Sequence, residues 1–421
     1  MIDFFDTEKI MEKNRRVWPY FLCAGVTAFV VFVSTFLGCM VGFHARERRN
    51  AQITPSQDGQ TPAYLAKIEE LVSLLDEKYV DGLDMDALDY ALSNAAVAAT
   101  GDRWSYYISA EDFASYLESN ANAYVGIGVT IKKPDDEETV TGFAIQSVTP
   151  NSPAEKAGIQ AGDLITAVEG ESAVSLGMSE TKNRVRGAEG TKVTLTILRG
   201  EESFDVSVTR AKIEVEVVSS KLMENDIGYI KINNFDSNCA RDTIAAIENL
   251  REQGAHSLVF DLRFNPGGMK TELLAVLDYL LPEGPLFTSV DYLGKETTDY
   301  SDAKYLDMPM AVIVNDDSYS AAEFFAAALQ EYGAATIVGT KTCGKGNYQQ
   351  TFQLSDGSAV AVSTGHYKTP HGVTLTNVGV TPDIIVEVDA DTYQNLYFGR
   401  VDAADDTQLQ SAISALPQEK P

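Results

Sequence analysis

The sequence predicts an α/β (α+β) multidomain chain. In order it holds an amino-terminal transmembrane helix, a helical segment, a small β-barrel or sandwich, and an α/β core with a mostly parallel sheet flanked by helices. Three observations predict this. From Val17 to Phe43 no residue is charged at neutral pH. Between Val125 and Arg210, short β-type runs are divided by Gly, Pro and Asp, the pattern of a small antiparallel domain. From Ile227 onward, apolar strands alternate with helical stretches, which argues for parallel βα units. The composition, 44% hydrophobic and 22% charged, is that of a globular protein, and 421 residues leave room for two or three cores. The expected division is a cytoplasmic tail 1–16, a span 17–43, a linker 44–62, a helical region 63–118, the β domain 119–212, the α/β core 213–416 and a tail 417–421.

The apolar run at 17–43 is longer than the roughly 20 residues needed to cross a bilayer, so it can span with some tilt. Trp18 and Tyr20 sit at its start, where amphipathic rings favour the interface. Lys9, Lys13, Arg15 and Arg16 precede it, and Arg46, Arg48 and Arg49 follow, a balance too even to orient the helix by itself. A short tail before a large folded region favours a signal anchor with the tail inside and the remainder outside a bacterial cytoplasm. The run is long for a cleaved signal, and no small-x-small site follows it. Leu37-Gly38-Cys39 is a weak lipoprotein-like alternative.

Net charge is -28, with the basic residues of the amino terminus gathered at the membrane flanks. A chain so acidic repels phosphate backbones, so nucleic acid is excluded as a partner. The cysteines are Cys23, Cys39, Cys239 and Cys343, with no C-x-x-C pair, so neither a disulfide scaffold nor a structural zinc site is indicated.

After the polar linker, Leu65, Ile68, Leu71, Leu74 and Leu75 recur at helical spacing, and a second helix covers about 85–99. Trp104–Leu117 gives a turn and a helix capped by Ser109. The β domain follows: YVGIGVTI, FAIQSV, DLITAV, KVTLTILR and SFDVSVTR as strands, with helical pieces at about 152–157 and 179–185. In the core, IGYIKI, SLVFDL, MAVIVN and ATIVG are strands, separated by helices at about 242–253, 270–281 and 320–332.

Chemistry concentrates where MAVIVN ends and NDDSYSAAEFF begins a helix. A Ser at such a junction meets outward-pointing N–H groups and a dipole that favours a developing anion. Ser318 and Ser320 both qualify, and either can also be a plain N-cap. After the next strand, GTKTCGKGNYQQ places Lys345 between two glycines, either as a solvated charge or as a desolvated neutral base. DLRFNPGG supplies a turn whose free N–H groups suit an oxyanion hole. A His-based triad is disfavoured: His44 is juxtamembrane, His256 precedes a strand, and only His366 and His371 sit in a plausible strand–turn context. Neither G-x-S-x-G nor H-E-x-x-H occurs, and no metal or cofactor is called for.

VNDDSYSAAEFF followed by TCGKGNYQ resembles the Ser–Lys centre of the carboxyl-terminal processing peptidases, tail-specific serine endopeptidases with a PDZ domain. The resemblance extends through GDRWSYYISAEDF, IGYIKINNF, DLRFNPGG, HYKTPHG, GVTPDIIVEV and DTQLQSAISAL, over about residues 63–416. It implies Ser320 as nucleophile, Lys345, 25 positions on, as base, and Gln349 as the group that orients the base. It also implies an oxyanion hole from the N–H of Ala321 with that of Gly267 or Gly268. YVGIGVTI, NSPAEKAGIQAGDLITAVEG and RGAEGTKVTLTILR resemble the family's PDZ module. Gly126, Ile127, Gly128 and Val129 would then hold a peptide carboxyl terminus, and Arg186 would couple that module to the protease or make a surface ion pair. Glu323 reads as a first-turn carboxylate favoured by the helix dipole, and Cys343 as a small packed residue. Tyr319, Ala322 and Asp316-Asp317 depart from the family's usual residues around the nucleophile. The expected partners are protein or peptide substrates with accessible carboxyl termini, the membrane through residues 17–43, and optionally a second copy of the chain as a homodimer. The alternative is a catalytically weak PDZ adaptor at the membrane.

One prediction follows from the sequence directly. Cell fractionation finds the full-length chain in the membrane pellet, and protease added from outside degrades the folded part. A soluble form beginning near residue 44 would show instead that the span is removed.

Overall fold

The structure is a computed structural model that describes residues 62–133 and 141–417. The expected tail, span and most of the linker, with Cys23, Cys39 and His44, lie outside the described residues. No described helix is long and apolar enough to cross a membrane. The described residues divide into two units, one ending at Ser93 and the other beginning at Asn94. In the first, the helix Ala63–Lys78 carries the expected apolar stripe, and Leu65, Leu71, Leu74 and Leu75 on it are exposed. The helix Met85–Ala98 runs across the division.

The second unit holds both the β domain and the α/β core. In the β domain the expected continuous strand YVGIGVTI breaks in two, Ala123–Gly126 and Val129–Lys132, because Gly128 turns at φ +83°. Val129–Lys132 joins an antiparallel sheet ordered with Phe143–Val148, Leu164–Val168, Lys192–Arg199 and Glu202–Thr209. Ala123–Gly126 pairs instead with Ala211–Glu214. The helix expected at 179–185 begins earlier, at Ala173, and is kinked at Gly177.

The core sheet runs in the order Val218–Met223, Ile227–Ile232, Ser257–Asp261, Met310–Val314, Ala335–Gly339, Ile384–Ile385, antiparallel in its first pair and parallel thereafter. Ser257–Asp261 and Met310–Val314 are buried at every position, the burial expected of strands covered on both faces. Alternate residues serve opposite faces. Leu258, Phe260, Val312 and Val314 pack against the helices Cys239–Glu252, Lys270–Leu280 and Ala321–Glu331, while Val259, Ala311 and Ile313 pack against Leu409 and Ala412 of the helix Thr407–Ala415.

A second, antiparallel sheet is the main feature absent from the sequence expectation. It is built from Tyr106–Ile108, Ala359–Lys368, Gly284–Asp291 and Glu296–Ser301, with Asn347–Gln353 also paired to Ala359–Lys368. Strands such as ETTDYS and NYQQTFQ are polar and carry no clean apolar alternation, so periodicity does not mark them. Tyr106 pairs with Ala361, which stitches the segment ahead of the PDZ-like domain into the core.

A buried ion cluster pins the carboxyl-terminal helix. Arg263 donates to Asp261 at 2.9 and 2.6 Å and to Asp406, the N-cap of the last helix, at 3.0 and 2.7 Å. Burial alone would raise the Asp261 carboxyl; the Arg263 charge and its hydrogen bonds outweigh that and hold it below 3.8. Because its folded value is depressed, the stability it contributes is present above its unfolded pKa and is lost as pH falls through its folded one. Asp406→Ala leaves the buried guanidinium under-compensated. It is expected to cost about 3 kcal/mol in a denaturant titration, and wild-type stability in the same assay declines below about pH 4.

Candidate active site

The strand Met310–Val314 ends in the turn 315–319, and the helix Ala321–Glu331 starts immediately after it. Ser320 is the N-cap, at φ 58° and ψ −119°. Such a conformation costs a non-glycine residue about 1–3 kcal/mol and persists only where its surroundings over-determine it. The turn is fixed by Ser318, which is fully buried, donates from Oγ to the carbonyl of Leu262 at 2.8 Å and accepts from the Asn315 N–H at 3.0 Å. Of the two serines, Ser318 is thus a staple of the turn, and Ser320 is the one that lines the cleft. Asp316 and Asp317 both accept from the Tyr393 hydroxyl, at 2.9 and 2.6 Å, so these carboxylates are engaged with the helix Ala390–Tyr397.

Glu323 does more than its expected first-turn role. Its carboxylate is fully buried and accepts the Ser320 N–H at 3.0 Å, the Thr342 hydroxyl at 2.5 Å, and the N–H groups of Gly344 and Lys345 at 2.6 and 2.8 Å. One side chain therefore clamps the Ser320 junction to the loop that carries the lysine. That loop can approach because Gly344 adopts φ +84° and a side chain at Gly346 would run into Thr376.

Lys345 lies in the same cleft, with its Nζ 4.7 Å from the centre of the Trp104 ring. Burial lowers its pKa from the ordinary 10.5, against the opposing pull of Asp102, Cys343 and Glu323. Trp104 also carries the Arg103 guanidinium at 4.2 Å and meets the Tyr319 ring at 5.9 Å. The Tyr367 hydroxyl donates to the Lys345 carbonyl. Gln349 lines the cleft, but its Nε2 donates to Ser363 Oγ at 3.0 Å and to the Asn347 carbonyl at 3.4 Å rather than engaging the lysine amine expected of it. Cys343 Sγ accepts from Arg103 at 3.4 Å, and burial raises its thiol, as suits a packed residue.

The glycine turn needs one correction. Gly267 packs against the Ser320 junction so closely that a Cβ there would stand 2.8 Å from both Ala321 N and Tyr319 O. Its N–H, however, donates to Asn265 Oδ1 at 2.8 Å, so it is not available to an oxyanion. Among the described residues, the N–H groups of Gly268 and Ala321 have no such partner, and both residues line the cleft of about 790 Å³ that holds Ser320, Lys345 and Gln349. His366 and His371 are exposed, and His366 is paired with Asn347 at 2.9 Å. His256, part-buried, donates its backbone N–H to Asp226.

In the β domain, Gly126, Ile127, Gly128, Val129 and Arg186 line one groove of about 270 Å³. Ile127 also belongs to the buried core of that domain. Arg186 pairs with Glu118 at 3.1 Å and lies 5.1 Å from the Tyr124 ring centre.

Comparison with known proteins places the two domains in families. Residues 226–386 match peptidase family S41, and residues 145–199 match the PDZ domain. The probable CtpA-like serine protease of Staphylococcus aureus (strain N315) is 34% identical over 339 residues, covering 79% of this chain and 66% of that protein. Its Staphylococcus epidermidis counterpart is 33% identical, covering 79% and 67%. The chain belongs to peptidase family S41. The match spans about two thirds of the relatives' length. Among solved structures, the photosystem II D1 C-terminal processing protease aligns at 26% identity and a TM-score of 0.44, covering 85% of this chain and 96% of that one. Tricorn protease aligns at 18% and 0.40, covering 69% and 29%.

In this S41 chain Glu323 exceeds the first-turn role that its position predicts, and the Asp102–Ser105 turn is more than the lead-in to the PDZ domain that the sequence indicates. The density of polar and aromatic residues in GDRWSYY is the signal that was available. Glu323→Gln turns an amide N–H₂ toward backbone N–H donors. A displacement of the reacting groups on the ångström scale costs roughly a hundredfold. Turnover is therefore expected to fall about that far, with a lowered Tm in the same preparation; a fully active variant would show that the clamp is dispensable.

Proposed function

We propose that the chain is a serine endopeptidase of the carboxyl-terminal processing type, anchored in a bacterial membrane by residues 17–43 and cleaving protein substrates outside the cytoplasm. The observation that carries the peptidase reading is the Glu323 clamp, which joins the Ser320 junction and the Lys345 loop in one cleft. Ser320 Oγ attacks the scissile carbonyl while neutral Lys345 takes its proton. The lysine then returns that proton to the leaving amine, and water hydrolyses the acyl-enzyme by the reverse sequence. The N–H groups of Gly268 and Ala321 stabilise the oxyanion. Gln349 orients the lysine amine. The cycle calls for no metal or cofactor.

The PDZ domain adds the substrate's carboxyl-terminal segment as a strand at Gly126–Val129, and backbone N–H groups receive the carboxylate. The Arg186–Glu118 pair links this groove to the helix Ala110–Asn120 and so to the cleft, where Tyr116 and Asn120 are lining residues. The exposed leucine stripe of Ala63–Lys78 supports a homodimer. A membrane-bound PDZ adaptor is the second reading, favoured by the well-formed groove alone.

Assay of the full chain on peptides separates the two. Ser320→Ala abolishes hydrolysis while the fold is retained. Lys345→Arg is as inactive as Lys345→Ala, since guanidinium stays protonated. Because the Lys345 pKa is lowered, wild-type rate rises as pH climbs through a value below 10.5, without an imidazole-like inflection near 6.5. Peptides with a free apolar carboxyl terminus are cleaved faster than their amidated forms. Undiminished hydrolysis by Ser320→Ala would overturn the reading.

A further inference from the structure

Behind the lysine lies a chain of hydrogen bonds that the mechanism above does not use. Asp102 Oδ1 accepts the Trp104 N–H at 3.1 Å, and its Oδ2 accepts the Ser105 hydroxyl at 2.6 Å. Ser105 Oγ in turn accepts the Ser363 N–H at 3.0 Å, and Ser363 Oγ accepts Gln349 Nε2 at 3.0 Å. The turn is held in place by the strand Tyr106–Ile108, paired to Ala359–Lys368. The Trp104 ring, fixed by the same turn, lies 4.7 Å from Lys345 Nζ. One carboxylate thus anchors both the aromatic surface beside the lysine and, through two serines, the glutamine.

We infer that Asp102 is the positioning residue and counter-charge of the catalytic base, holding Trp104 against the Lys345 amine and setting the Gln349 amide through Ser105 and Ser363. This inference rests on the reading of Lys345 as the base. The groups around that lysine divide by task. Glu323 engages its backbone N–H and Tyr367 its carbonyl, while Arg103 is turned to Cys343 and to the Trp104 ring. Tyr319 meets Trp104, and His366 shares with Asp102 a small pocket of about 270 Å³. Asp102 is the largest of the charges that oppose the effect of burial on Lys345, ahead of Cys343 and Glu323. Burial would raise the Asp102 carboxyl itself; its bonds to Ser105 and the Trp104 N–H, with the Lys345 charge, hold it below 3.8. A fixed negative charge there keeps the lysine from losing its proton at too low a pH and sets where the neutral base appears.

The test uses the full chain in detergent with two readouts. One is the pH dependence of kcat/KM; the other is the pH midpoint of Lys345 acetylation by trace anhydride, read by mass spectrometry, which needs no activity. Asp102→Asn is expected to move both the acidic limb and the labelling midpoint down by about one pH unit, the order of a neighbouring charge's influence, and to lower kcat. Ser105→Ala keeps the carboxylate, so it should lower kcat several-fold and leave the midpoint where it is. If Asp102→Asn does not fold, Asp102→Ser retains the turn bond to Trp104 without the charge and is read the same way. An unmoved midpoint in a folded Asp102 variant, or an equal shift in Ser105→Ala, overturns the inference. Should Ser320→Ala still cleave, the peptidase reading fails on its own, and the labelling midpoint still decides the role of Asp102.

Discussion

The fully buried carboxylate of Glu323 is the constraint on which the site depends. A carboxylate out of water is costly unless its lone pairs are occupied. Here four donors occupy them: the N–H of Ser320, the hydroxyl of Thr342 and the N–H groups of Gly344 and Lys345. Hydrogen bonds to a charged acceptor are among the stronger ones a protein makes, and the start of the helix Ala321–Glu331 adds a favourable dipole. The same four bonds that satisfy the charge draw two distant segments together. They also help hold Ser320 at a positive φ that it would not otherwise keep. Stability and geometry at this point are a single requirement.

The rest of the core supplies the frame. Strands buried on both faces end at one rim, where the turns after Ser257–Asp261 and Met310–Val314 meet. Gly267 fits against the Ser320 junction only because it lacks a side chain, and its N–H is held by Asn265, itself fully buried and donating to Ile232. Just beyond the strand Ser257–Asp261, Arg263 ties the sheet to the last helix through Asp406. Lys345 stands at the start of the other sheet, the antiparallel one, whose strand Tyr106–Ile108 brings Trp104 to it. Ser320 and Lys345 thus reach the cleft from two sheets that share no strand.

That division explains what periodicity missed. The strands of the parallel sheet are apolar throughout and announce themselves, whereas Asn347–Gln353 and Glu296–Ser301 are polar strands stabilised by partners far away in sequence. The break in YVGIGVTI was hidden in the same way: the residues are good strand formers, and the deciding term is the positive φ of Gly128. Ser318 and Ser320 were equivalent as residue types two positions apart. They became distinct only when Ser318 Oγ found the Leu262 carbonyl within a fully buried turn.

The sequence by itself determined the element types of the apolar strands and helices, the 25-residue interval from Ser320 to Lys345, the glycines around Lys345 and the motifs shared with peptidase family S41. These are local properties, written in hydrophobic period, glycine placement and motif spacing. The tertiary structure decided which carboxylate clamps the site, which glycine N–H is held by Asn265, where Gln349 directs its amide, and that Trp104 stands beside the lysine. Each of those depends on a donor or acceptor that only the fold brings within reach, because hydrogen bonding acts over about 3 Å and carries no trace along the chain.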